Sequence, residues 1–500
     1  MKKTSKTYRL FEMIPGLIAW ITISFPVWGS LVAPRLVAYF VIAFLLFWLY
    51  QSFKSAVLAI IGYFKIRSSE SANWLESFQQ DFKSSWLKYN DIYHVIFISS
   101  YKEPIEIIDQ MAITSLKNQV DIDHRKLIVV IGQESRAGRE NNQKTINYFQ
   151  QKYPNTFGML IFTEHPADLP GEIAGKHSNE AWAARYFKKN FIDTGKYDIN
   201  HLTLTSCDVD TVFHPKYFSA LTYRFASSPH RHLRFWQSPI FWHHNINSVP
   251  APTRIVGTMG NVIHIANIQE PDGLFFNYSC YSSSYQLIDR AGYWDADMIP
   301  EDWHIFLQAF FVSAGQATVE PIFLPTLVDA PDGVNYLAAL KNRYYQCLRH
   351  AWGAIDIPYA ITKALKHPEI PLIRRVLRIG KLLETHFIWS SNWFILTLGT
   401  SLPLILNPVF FQTSIGFNLP RISNIILTIC LFPLLVLIVL DWQLRPPIQK
   451  RGLGVILRNL FQWPLMPLAT LTLSVLPGLH SHTRLMLGKR IEYKTTTKKL

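Results

Sequence analysis

The chain has 500 residues, 49% of them hydrophobic and 14% aromatic, with a formal net charge of +14. That length and apolar content exclude a single ordinary soluble domain and call for a sizeable core plus membrane segments. Much of the positive excess sits beside apolar runs, where anionic lipid headgroups are the nearer partner, which argues against nucleic-acid binding.

In chain order, residues 11–29 carry one charge, Glu12, and residues 36–50 carry none, with apolar character continuing through 56–64 past Lys54. Two spans of about 20 residues fit there, enough to cross a bilayer core. No small-x-small cleavage site follows the first run, and a second run comes at once, so a retained anchor is expected. Lys2, Lys3 and Lys6 hold the N-terminus in the cytosol, Arg35 is the one basic residue between the spans, and two crossings return the chain to the cytosol.

Between about residues 91 and 331 short β-type apolar runs (94–99, 126–131, 157–162, 201–206) alternate with amphipathic stretches (104–117, 139–152, 175–189). This is the pattern of an α/β sheet covered by helices, in which ligands bind at the carboxyl ends of the strands. The first strand ends in Ser99-Ser100-Tyr101-Lys102-Glu103 and the second in Gly132-Gln133-Glu134-Ser135. A polar turn with a carboxylate after each could hold a nucleobase and ribose, and could equally be an ordinary helix cap. The fourth strand ends in Cys207-Asp208-Val209-Asp210, two carboxylates able to offer oxygen to a hard divalent cation on a nucleotide's phosphates. Glu301-Asp302 opens a helical stretch reaching Val312, a position also explained by the helix dipole. Gln346 and Arg349 share a helix face at i, i+3, with the Trp352 indole close by. Cysteines 207, 280, 347 and 430 lack CxxC spacing, so neither a zinc site nor a disulfide framework is indicated.

Toward the C-terminus, 370–387 places Leu372, Ile373, Val376, Leu377 and Leu383 among Arg374, Arg375, Arg378 and Lys381, the signature of a basic amphipathic helix on the cytosolic leaflet. Residues 387–406 and 422–440 are two further candidate spans, each with a proline of the kind membrane helices tolerate. The stretch 460–479, with Pro464, Pro467 and Pro477, is expected to be re-entrant or interfacial. The basic loop 445–451 and the tail residues Lys489, Arg490, Lys494, Lys498 and Lys499 then share the cytosolic side.

Taken together, Tyr101-Lys102-Glu103, Gly175-Lys176-His177-Ser178-Asn179, Asp208-Val209-Asp210, Gln237-Ser238-Pro239, Glu301-Asp302, and Gln346 with Arg349 resemble the membrane-bound family-2 glycosyltransferases, the group of cellulose, chitin and hyaluronan synthases. The resemblance covers about residues 90–355. It implies a GT-A-like α/β domain flanked by transmembrane helices and inverting transfer of a sugar from a nucleotide-diphosphate donor, a UDP-sugar foremost. On it, Tyr101, Glu103, Glu134, Lys176 and Asp208 would bind the donor. Asp208 and Asp210 would hold Mg2+ or Mn2+. Asp302, with Glu301 and Arg349, would be catalytic, Asp302 as the base and Arg349 offsetting charge on the leaving diphosphate. Gln237, Gln346 and Trp352 would meet the acceptor or diphosphate. Two departures are visible: Gln133-Glu134-Ser135 replaces an aspartate-rich turn, and His350 stands where processive synthases have tryptophan.

The implied plan is a transmembrane hairpin (1–66), a cytosolic catalytic domain (67–360), an interfacial helix region (361–386), C-terminal membrane segments (387–480) and a basic cytosolic tail (481–500). An integral protein of the cell membrane follows, acting on a saccharide or lipid-linked acceptor. The rival readings are a non-catalytic scaffold of the same fold and a transporter with a cytosolic domain. The second would need ionisable residues inside several spans, which are mostly apolar here.

Overall fold

The computed structural model describes residues 6–270 and 274–491. Lys2, Lys3, Lys494, Lys498 and Lys499, which bear on the expected topology, lie outside the described residues.

A seven-stranded mixed sheet forms the centre. Its strands are β1 (Tyr93–Ser100), β2 (Leu127–Glu134), β3 (Met159–His165), β4 (Leu202–Asp208), β5 (Arg234–Gln237), β7 (Tyr281–Ser284) and β8 (Thr318–Pro321), in spatial order β3-β2-β1-β4-β7-β5-β8. A separate pair joins β6 (Ile240–Phe241) to β9 (Thr326–Leu327). The first four strands are mutually parallel, and β7 pairs antiparallel with both β4 and β5. The predicted runs in the first half of the sheet all became strands: β1, β2 and β4 are almost wholly buried, as parallel strands covered on both faces are, whereas β3, at the sheet edge, is only partly buried.

Alternation on β1 splits the core in two. Val95 and Phe97 pack with helices Lys176–Phe187 and Glu301–Val312 on one face, while Ile96 and Ile98 pack with Phe149, Tyr217 and Phe218 on the other. The predicted helices at 139–152 and 301–312 are present as Arg139–Lys152 and Glu301–Val312.

Among the described residues four helical stretches are long and apolar enough to cross a bilayer: Lys6–Val32, Pro34–Ser71, Ser414–Leu444 and Leu453–Met486. Many of their large side chains face outward, among them Trp20, Trp28, Leu46, Phe64, Phe432 and Phe461, as expected where lipid rather than water is the solvent. The expected span at 387–406 takes another form. Its first part continues the basic segment as one helix, Leu372–Leu398, and the rest breaks into the short helices Leu402–Leu406 and Pro408–Phe411. The boundary placed at 386 therefore falls inside a helix.

Helix Leu372–Leu398 runs antiparallel to Pro34–Ser71: Glu384 meets Gln51, Phe387 meets Phe44, and Gly399 abuts Val41. Trp393 donates to Pro467 O, Trp389 to Ser474 O, and His386 pairs with His482. The chain after Pro467 thus heads back toward the end of the bundle from which Leu372–Leu398 set out. There Glu12 is bridged by Arg9 and Arg490. At its other end the same stretch starts beside the sheet domain, where Asn459 accepts from Arg445 and Gln462 from Arg254. Both ends of Leu453–Met486 therefore lie at the domain end, although its length and composition would suit a span.

Two residues of the expected basic face turn inward. Arg378 is buried against the rings of Phe276, Phe306 and Phe310, 4.6 Å from the Phe306 centroid. Lys381 pairs with Glu270 at 3.0 Å. Leu372, Ile373, Val376 and Leu377 do remain exposed.

Candidate active site

The strand order reverses between β1 and β4, and a crevice opens outside the carboxyl ends of parallel strands at such a point. Register places Ser99 of β1 beside Asp208 of β4. A cavity of about 910 Å³ opens there, lined by Tyr101, Glu103, Glu134, Lys176, Asp208, Asp210, Glu301, Asp302, Gln346 and Arg349 among others. Ten of the twelve residues singled out from sequence thus face one space.

At one end the Tyr101 ring lies against the Arg136 guanidinium, 4.6 Å from its centroid, and Arg136 Nε donates to Glu134 Oε2 at 3.1 Å. Glu103 accepts from Ser100 Oγ at 3.1 Å and from the Tyr101 backbone N–H. Lys102 between them has φ of 60°, a left-handed backbone that the two bonds to Glu103 hold in place. Burial alone would raise the Glu134 carboxyl. Hydrogen bonds from His165 and Asn179, with the charge of Arg136, carry it below the ordinary range instead. Asn179 Nδ2 reaches Glu134 Oε1 at 3.0 Å and Gln133 O at 3.2 Å. It passes so near β2 that a Cβ on Gly132 would sit 2.0 Å from Asn179 Oδ1. This is a flat aromatic and guanidinium surface flanked by carboxylates, suited to a nucleobase and ribose.

Next along the cavity, helix Lys176–Phe187 points its N-terminus at the space through Ala174, Gly175 and Lys176, a disposition that favours phosphate. Lys176 Nζ stands 3.3 Å from Asp208 Oδ1 and donates to Ser279 O at 2.9 Å. Burial would lower its pKa, but Asp208, Glu180, Asp302 and Glu301 hold the ammonium protonated, well above the ordinary range. Asp208 and Asp210 supply oxygen donors of the kind Mg2+ and Mn2+ take. Among the described residues no three His, Cys, Asp or Glu close around a common point. A hard cation held there by one or two carboxylates would need water and phosphate oxygens to complete its shell. The cavity lining carries nine carboxylates against five Lys and Arg, so an anionic diphosphate entering it calls for a counter-cation.

Helix Glu301–Val312 sets Asp302 in its first turn. Asp302 Oδ2 accepts the Ser279 N–H at 2.7 Å, while Oδ1 is buried without a hydrogen-bond partner. Burial, and then the neighbouring Glu301 charge, push the Asp302 carboxyl up to about 7, against the pull of Lys176 and the Ser279 N–H. Ser279 sits at φ 57° and reaches three functional groups: its N–H Asp302, its carbonyl Lys176 and its hydroxyl Asp208, the last at 3.5 Å.

Two predicted residues do not line the cavity. Gln237 is fully buried, donating to Ser238 O and Cys280 O and accepting from the Tyr278 N–H. It fixes the strand end that carries Ser279 instead of touching a ligand. Trp352 is 2% exposed inside the core with helix Glu301–Val312, so its indole offers no stacking surface for a sugar. Conversely, Arg136, Ser279, Trp242 and Arg343 line the cavity without having been singled out. Arg343 had a signal in the sequence, since it precedes Gln346 by three residues and so shares its helix face. Ser279 had none, because its role comes from backbone groups.

No protein-family model matches this chain, and no curated protein matches it in sequence. Among solved structures, the mannosyltransferase PcManGT from Pyrobaculum calidifontis, in complex with GDP-Man and Mn2+, is similar at a TM-score of 0.42 and 11% sequence identity. The match covers 85% of this chain and 99% of that one.

Proposed function

We propose that the protein is a membrane-embedded glycosyltransferase that moves a sugar from a nucleoside-diphosphate donor to the hydroxyl of a saccharide or lipid-linked acceptor, with inversion. One observation carries the reading: Asp302, with a buried, unpartnered Oδ1 and a carboxyl pushed up to about 7, shares a cavity with the strand-end pair Asp208 and Asp210. A base whose pKa lies near working pH is ionised yet still able to take a proton.

In this reading Tyr101, Arg136, Glu103 and Glu134 hold the base and ribose. Asp208 and Asp210 would hold Mg2+ or Mn2+, which supplies charge neutralisation of the diphosphate when bound. The N-terminus of helix Lys176–Phe187 and Arg349 stand toward the phosphates, where negative charge grows as the donor bond breaks. Asp302 Oδ1 takes the acceptor's hydroxyl proton as that oxygen attacks, and the Ser279 N–H keeps the other carboxylate oxygen in place.

The membrane arrangement that goes with it has Lys6–Val32, Pro34–Ser71, Leu372–Leu398 and Ser414–Leu444 crossing and Leu453–Met486 re-entering. The catalytic domain and both described ends of the chain then share the cytosolic face. The exposed Leu372, Ile373, Val376 and Leu377 rest in the headgroup region.

Purified protein in lipid nanodiscs, given a panel of nucleotide sugars with Mg2+, Mn2+ or EDTA, tests the assignment. Metal-dependent turnover of one donor is the expected result. Tight nucleotide binding with no turnover of any donor would replace it with the scaffold reading.

A further inference from the structure

Arg343 is a buried guanidinium, 6% exposed, in the wall of the cavity. Among the described residues no carboxylate forms an ion pair with it. Its one recorded side-chain hydrogen bond runs from Nη1 to Gln346 Oε1 at 3.0 Å, and Nε is buried without a partner. A charge taken out of water without a counter-ion is costly, so a fixed one beside an open cavity points to an anionic ligand group.

The setting holds the fork still. The guanidinium stacks on Trp242, 4.8 Å from the ring centroid. Behind the indole stands Gly257, where a Cβ would lie 2.9 Å from Trp242 Cε3. The Trp242 backbone N–H donates to Asn261 Oδ1 at 3.0 Å, and Asn261 Nδ2 donates to Asp441 Oδ1 at 2.9 Å. Asp441 also accepts from His243 and Arg445. A guanidinium held this way suits the planar, two-oxygen geometry of a carboxylate or phosphate.

The donor phosphates already have cationic partners. Lys176 stands at Asp208, and Arg349 is the guanidinium whose charge acts on Glu301. Arg343 lies about 9 Å back along the helix axis from Arg349, on the wall formed by Trp242, Gly257 and Asn261. We propose that Arg343 binds an anionic group, a carboxylate or a phosphate, on the acceptor while the acceptor's hydroxyl is at Asp302. The proposal rests on the transferase reading for the word acceptor, and on this geometry for the anion.

Saturation-transfer NMR on the full-length protein in phosphatidylcholine nanodiscs tests it, with glucuronate, geranyl phosphate and glucose as probes and Arg343→Gln and Arg343→Lys as variants. One or both anions should give a signal and glucose should not. The signal should fall at least tenfold in Arg343→Gln and recover in part in Arg343→Lys. Glucuronate alone would mark an acidic saccharide, geranyl phosphate alone a lipid phosphate, and both a general anion site. Affinity for a nucleoside diphosphate should stay within twofold, which also confirms that the variant is folded. Absence of anion binding, binding unchanged in Arg343→Gln, or a tenfold loss of nucleoside-diphosphate affinity in that variant would overturn the proposal. None of these readouts needs turnover, so failure of sugar transfer would remove the transferase reading separately.

Discussion

Asp302 and His304 leave the same turn of one helix and meet opposite surroundings. Asp302 turns to the cavity with one carboxylate oxygen unpartnered. His304 turns to the core, where Nδ1 lies 2.7 Å from Asp356 Oδ1 and Nε2 lies 2.9 Å from Asp295 Oδ2. A neutral imidazole has one N–H, so bonds to carboxylates on both sides call for the imidazolium. Burial pulls its pKa down, but Asp356 and Asp295 outweigh that and raise it to about 9. A saturated polar group ties helix Glu301–Val312 to helix Asp356–Lys366, whereas an unsaturated one faces the cavity. The same contrast separates Gln237, with every amide atom engaged, from Arg343.

Changes on the open side should remove activity while sparing the fold. The largest such effect short of the base itself is expected from Asp210→Asn, with kcat/KM down about 10²- to 10³-fold, since a bound cation supplies several kcal/mol of charge stabilisation. Titration with Mn2+ should show a raised requirement for metal. A normal metal response in that variant would break the contrast.

On the closed side the loss should be stability. His304→Gln leaves Asp356 and Asp295 without their buried counter-charge and should cost about 3–5 kcal/mol, read as a lowered thermal midpoint. The wild-type pH dependence follows from a folded pKa of about 9 against about 6.5 unfolded. The His304 contribution is fully present below pH ~6.5 and is lost as pH rises through about 9. A midpoint that does not fall over that interval would contradict the imidazolium.

Gly132→Ala tests the join between the two sides. The new methyl would displace Asn179 from Glu134 and Gln133, costing about 1–3 kcal/mol by overpacking and weakening donor binding together with stability. The smallest change sharpens the assignment of the base: Glu301→Gln removes the charge that helps to raise Asp302. The acid limb of the pH–rate profile, expected near 7 in the wild type, should move to lower pH. An upward move would take the limb away from Asp302.

The parallel half of the sheet was legible because each strand holds a short run of β-type residues between amphipathic helices, and the strand ends carried Tyr101, Glu103, Glu134, Asp208 and Asp210 into the cavity as expected. Gln237 and Trp352 misled because residue type does not say which way a side chain turns; packing decided, and it took both inward. Ser279 was invisible because its contribution is a left-handed backbone. The last helices were legible only in part: 387–398 reads as the start of a span but continues a basic segment, and Arg378 is charged yet enclosed by three phenylalanine rings.

The most direct test is Asp302→Asn in nanodiscs, measured for nucleotide-sugar affinity and for transfer in the same preparation. The expected result is a fall in kcat of about 10²- to 10⁴-fold, the usual worth of a general base, with donor affinity little changed. Transfer at the wild-type rate by Asp302→Asn would contradict the assignment of Asp302 as the base.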